Sequence, residues 1–133
     1  MAVDESQGED EQLPLAYRWL KAHHFEGLTP WYFVEPAGMD EINKEYNRET
    51  GKSLLTFARR QDNDDVAGFE IIDGKATSAV ITVHLTWTGK REQPGFPLSR
   101  QSEDIFTWLT EVVIPETQDW ATEEELRELA KDE

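Results

Sequence analysis

Two extended runs between Val66 and Thr88 flank the dipeptide Asp73-Gly74, and this arrangement limits the possible folds more than any other part of the chain. Asp-Gly accommodates the backbone that a two-residue hairpin turn demands, so the runs on either side are expected to pair antiparallel. The second run, Thr77 to Thr88, is the clearest strand in the sequence. Its odd positions Ala79, Ile81, Val83, Leu85 and Trp87 form an apolar face, while Thr82, His84, Thr86 and Thr88 lie opposite, joined by Val80. One face is expected to pack on helices and the other to stay partly wet. Upstream, Leu54 to Phe57 and Val66 to Ile72 flank a turn of Asp62, Asn63, Asp64 and Asp65. That second strand-turn-strand unit carries three carboxylates within four positions at its tip.

Helices are predicted around these strands. Pro14 suits a first helical turn, and Ala16, Trp19, Leu20 and His23 recur at helical spacing up to Gly27, which predicts a helix over Pro14 to Phe25. The segment from Gly27 to Pro36 reads as a turn followed by an aromatic, extended piece. A second helix is predicted over Asp40 to Thr50, with Asp40 as N-cap, Ile42, Glu45, Tyr46 and Glu49 within it, and Gly51 as its stop. Gly89 to Ser99 reads as a loop with a local excess of positive charge in Lys90 and Arg91. Ser102 is then expected to cap a helix whose first turn holds Glu103 and Asp104 and which Pro115 closes. Thr122 and Glu125 form a capping box that opens a short, charged C-terminal helix. The order of elements predicts an α+β single domain, with a mostly antiparallel or mixed sheet and helices packed on one face. Residues 1–11 are expected to form a disordered acidic tail, 12–120 the folded domain, and 121–133 a charged helix or tail.

At 133 residues the chain is long enough for one core without staples. It has no cysteine, which excludes disulfides, thiolate metal sites and a cysteine nucleophile. An acidic N-terminus and short apolar runs argue against a secretory leader or a membrane span, so a soluble, cytoplasmic protein is expected. Of the net charge of −15, residues 1–11 carry −5 and residues 121–133 carry −4, which leaves −6 on the body. A field of that sign repels nucleic acid and anionic membranes and steers basic proteins toward the surface. The expected partner is therefore a basic protein, with no nucleic acid and no membrane.

Little in the sequence points to catalysis. Asp62, Asp64 and Asp65 resemble the start of a calcium-binding loop, but the fifth position is Val66, the turn glycine is replaced by Ala67, and Asp73 stands where the closing glutamate belongs. No metal and no cofactor is expected. His23 and His24 are adjacent and point about 100° apart on a helix, too far to share an ion as i, i+4 histidines do. His84 stands in mid-strand among threonines with no nucleophile tied to it by a motif. Phosphate loops, nucleophile elbows and zinc-protease helices are absent. Trp19, Trp87 and Trp108 fall on predicted core stripes. Trp31 and Tyr32 are the aromatics most free to reach a surface, where such side chains favour interfaces, although core packing is the commoner fate of each taken singly.

Four stretches together resemble the SUKH superfamily: Leu55-Thr-Phe-Ala58, Asp62-Asn-Asp-Asp-Val-Ala-Gly-Phe-Glu70, Val80-Ile-Thr-Val-His84 and Ser102-Glu-Asp-Ile-Phe-Thr-Trp-Leu109. The resemblance covers roughly residues 28–110. Thr56 stands where that family commonly has proline, and Asp64 where it commonly has glycine. The resemblance implies an α+β fold found in fungal cell-wall signalling regulators and in bacterial immunity proteins that neutralise a toxin, often a nuclease, by binding it. It implies a non-enzymatic binding protein, with an intracellular adaptor or a small enzyme as alternatives. The expected contact surface is the turn of Asp62, Asp64 and Asp65 with the nearby Glu70. Trp31 and Tyr32, together with the face of Thr82, His84 and Thr86, are further candidates.

Overall fold

The structure, a computed structural model, describes residues 13–91 and 96–131, so the acidic tail predicted for residues 1–11 lies outside the described residues. Six strands form one antiparallel sheet: β1 (Gly27–Leu28), β2 (Trp31–Phe33), β3 (Ser53–Arg60), β4 (Asp65–Ile72), β5 (Lys75–His84) and β6 (Leu98–Ser102). Their spatial order is their order in the chain. The helices are α1 (Leu15–Ala22), α2 (Asp40–Thr50), α3 over residues 105–120, and α4 (Glu123–Lys131). The α+β class and the antiparallel sheet agree with the sequence.

The Asp73-Gly74 turn forms as its residue types require, with φ of 53° at Asp73 and 78° at Gly74 and Ile72 paired with Lys75 across it. Gly51 closes α2 at φ 75°, donating its N–H to the Asn47 carbonyl. Thr122 accepts the Glu125 N–H at 3.2 Å through its hydroxyl, as the predicted cap demands.

Helices cover both faces of the sheet, which corrects the expectation of one covered face. Ile81, Val83 and Leu85 of the apolar strand face pack with Val66 and Leu54 against Ile42 and Tyr46 of α2. The residues between them face the other way, where Phe57, Ala67, Phe69 and Val80 pack against Tyr17 and Leu20 of α1 and Trp108 and Val112 of α3. The centre of that second core is aromatic. Phe57 stacks on Phe69 at 4.5 Å and meets Trp108 edge-on at 5.2 Å and Tyr17 at 5.4 Å. A bulge near Phe57 interrupts the β3–β4 register between Thr56 and Ala58. There Asn43 of α2 accepts both the Thr56 N–H at 3.1 Å and its hydroxyl at 2.7 Å, so threonine at this position ties the strand to the helix.

Several expectations at the chain ends of elements are corrected. Ser102 is the last residue of β6, inside the segment read as leading out of a loop, and Asp104 caps α3 by accepting the Thr107 N–H at 2.8 Å. That bond lowers the Asp104 carboxyl below its ordinary value. Pro115 does not close α3. A π turn at Leu109–Val113, where the Ile114 N–H reaches the Leu109 carbonyl, widens the helix and lets it continue through the proline as Ile114–Trp120. Trp19 is exposed on α1, packed on His23 at 4.2 Å, and Trp87 is exposed just past β5 at φ 59°. Among the described residues no helix is long and apolar enough to cross a membrane.

Candidate functional site

The antiparallel register places Asp65, His84 and Leu98 in one row across β4, β5 and β6, and Ala67, Thr82 and Arg100 in the next. A third row, Phe69, Val80 and Ser102, lies under Trp108 of α3. The rows share a face, so the sheet runs out from beneath α3 at the end where the acidic turn sits. Glu116, near the end of α3, overhangs this corner. Its Oε1 accepts from Arg60 and, at 3.3 Å, from the Trp31 indole N–H, while Arg100 approaches Oε2 at 3.5 Å. Beneath it opens a shallow groove of about 520 Å³ between Asn63, Asp65, Thr82, His84, Arg100 and Glu116.

Charge at this corner is organised in pairs. Asp62 accepts from Arg60 Nε at 2.6 Å and from Nη2 at 3.2 Å, and this contact is the main cause that raises the Arg60 guanidinium, with the Glu116 charge adding to it. Asp65 lies 2.6 Å from His84 Nδ1. Asn63 Oδ1 accepts the Asp65 N–H at 2.8 Å, which fixes the turn, and Asp64 projects into solvent. Asp62 and Asp65 point to different partners, Arg60 and His84, and among the described residues no group of three carboxylates or imidazoles converges as an ion would require. Thr82 is 9% exposed, and its hydroxyl finds no hydrogen-bond partner among the described residues. A buried, unsatisfied hydroxyl is costly, so its place at the groove floor is informative.

The structure brings Asp62, Asp64, Asp65, Thr82 and His84 together and separates the other expected contact residues. Trp31 is a core residue, 2% exposed and edge-on to Trp108 at 5.4 Å. It belongs inside because it alternates onto the α3 face beside Arg60. Tyr32 faces a different hollow, shared with Lys21, His24 and Glu35. Glu70 lies toward the far end of β4, paired with Leu54, about 17 Å of strand away from Asp65. Its charge acts instead on Tyr46, whose phenol is raised chiefly by burial. Thr86 leaves the strand and turns to α2.

That turn reveals a second polar arrangement. Glu49 Oε1 accepts the Thr86 N–H at 2.9 Å and its hydroxyl at 2.7 Å, and Oε2 accepts the Trp87 N–H at 3.0 Å. Glu45 Oε2 accepts the Gly89 N–H at 2.9 Å, with Arg48 on Oε1 at 3.0 Å. Both carboxyls are withdrawn from solvent. A hydrogen bond with Glu49 is the largest cause that lowers the Glu45 carboxyl, opposed by burial and assisted by Gly89 and Arg48. All four of these acceptor contacts on the 86–89 segment are backbone or hydroxyl donors, so the pair works as a clamp on the chain leaving β5. The sequence carried a sign of it: Ile42, Glu45, Tyr46 and Glu49 share one helical stripe, and acids on a burying stripe need partners. Nothing in the sequence marked Glu116, because the π turn rotates every residue after it by about 100° relative to a regular helix.

Comparison with protein-family models, with curated proteins and with solved structures finds no match to the chain.

Proposed function

We propose that the chain is a non-enzymatic protein-binding domain whose turn end engages a basic partner, in the manner of an immunity protein held against its toxin. The observation that carries this reading is the uncovered corner of the sheet. There Asp62, Asp64, Asp65 and Glu116 outnumber Arg60 and Arg100, and Asp65, Arg100 and Glu116 line an open groove. A nuclease toxin needs a basic surface to hold phosphates, and a surface of opposite sign can occupy it, with exposed charges speeding encounter. The SUKH resemblance supplies the toxin as partner class, and the acidic body supplies the steering field. The test is to replace Asp62, Asp64 and Asp65 together by Asn and titrate the variant with the partner protein captured by the unaltered chain from its native host. The association rate is expected to fall at least about tenfold at low salt and to lose much of its salt dependence. Unchanged affinity and unchanged salt dependence would show that the turn is not the interface.

A small enzyme using His84 is the second reading, favoured by the Asp65 contact. A carboxylate on Nδ1 holds the imidazole with Nε2 directed outward, which suits a general base. A His84→Ala variant that keeps the chain's full function in its host would remove this reading.

A further inference from the structure

The groove floor and the strand beside it point to how such a partner is gripped. Among the described residues, β6 is the last strand of the sheet and pairs only with β5. Among the described residues, no backbone group outside that pairing hydrogen-bonds to Leu98–Ser102. Natural edge strands are blunted by proline, by bulges or by several charges, and β6 has none of these within its span: its register is unbroken and Arg100 is its one charge. Leu98 is 60% exposed beside it. Thr82, one strand inward and opposite Arg100, holds its buried hydroxyl in the groove with no partner among the described residues.

Resting on the protein-binding reading above, we infer that the partner docks an extended segment against the free edge of β6 and inserts one arginine or lysine side chain into the groove over Thr82. Strand addition satisfies the outward N–H and carbonyl groups of β6. The inserted cation donates to the Thr82 oxygen, which can only accept from it, and lies between the Asp65 and Glu116 carboxylates. A second copy of this chain is a poor occupant, since two bodies of like net charge repel.

The experiment uses the whole chain, labelled with nitrogen-15, and two capped peptides: Thr-Val-Thr-Arg-Thr-Val-Thr and its counterpart with glutamate for arginine. Saturating arginine peptide is expected to slow amide exchange at alternate residues of Leu98–Ser102 by about tenfold or more, and the glutamate peptide to bind at least about tenfold more weakly. Thr82→Val, which keeps the side-chain shape, is expected to weaken the arginine peptide about threefold to tenfold and to leave the glutamate peptide unaffected. Leu98→Lys with Ser99→Lys is expected to abolish edge protection. Arginine-dependent binding that perturbs the Asn63–Asp65 turn without protecting β6 would overturn strand addition and leave the acidic-surface reading standing. Equal binding of both peptides overturns both readings, and binding of neither overturns strand addition.

Discussion

The Asp65 carboxylate and the His84 Nδ1 meet at 2.6 Å across the β4–β5 ladder, as direct cross-strand partners at the rim of the sheet. His84 is half exposed, so water screens the contact and its worth to the fold is small. Asp65→Asn is expected to change unfolding free energy by no more than about 1 kcal/mol, measured by urea denaturation. The same substitution should weaken partner binding, which separates a surface kept for recognition from one kept for stability.

Glu49 contributes in the opposite way. Its two carboxyl oxygens accept three donors from Thr86 and Trp87 and are shielded from solvent. Glu49→Ala strands those donors and is expected to cost about 2–4 kcal/mol, with faster amide exchange at Thr86 and Trp87. Glu49→Gln keeps one acceptor oxygen and should cost roughly half as much. A neutral effect of both would show that the clamp does not hold the segment.

Glu45 predicts an acid sensitivity. Its carboxyl titrates below the ordinary value of 4.5 in the folded chain, so the unfolded chain takes up the proton first as pH falls. The stability it adds is therefore complete above the unfolded value and is lost as pH drops through the folded one. Denaturation midpoints measured from neutral pH down to about pH 3 should fall less steeply in Glu45→Gln than in the parent chain.

Gly68 and Phe57 set the tolerance of the sheet's interior. A Cβ on Gly68 would stand 2.8 Å from the Leu55 carbonyl oxygen and 2.7 Å from Leu54 Cγ, so Gly68→Ala is expected to cost about 1–3 kcal/mol. Gly38, with nothing within 4 Å of its position, should accept alanine without loss. Phe57→Ala removes the ring stacked on Phe69 at the centre of the larger core and is expected to cost about 3–5 kcal/mol. Thermal or urea unfolding of the three variants checks this ranking.

What was legible in the sequence was mostly local. Asp73-Gly74, Gly51 and Thr122 specify their turn or cap through their own backbone and side-chain chemistry, and each appears where expected. Leu98–Ser102 was hidden because Leu-Ser-Arg-Gln-Ser has no apolar alternation. An edge strand needs none, since β5 supplies the ladder and only Ser102 is buried. Trp31 was misplaced because a three-residue strand carries too little pattern to show which side is inward. The acidic turn was visible from composition. Its contact with Arg60 is local in the chain, whereas His84 beside Asp65 and Glu116 on the far side of Arg60 come from elements that only the tertiary fold brings to the turn.

The strands lie side by side in the order in which they occur in the chain, with every neighbour antiparallel. Each new strand can therefore zip onto its predecessor as the chain emerges, and among the described residues only the β2–β3 and β5–β6 closures must wait for an intervening segment. Low contact order of this kind favours rapid folding. On the proposed reading, in which the chain must be in place before its partner acts, speed of maturation would itself serve function.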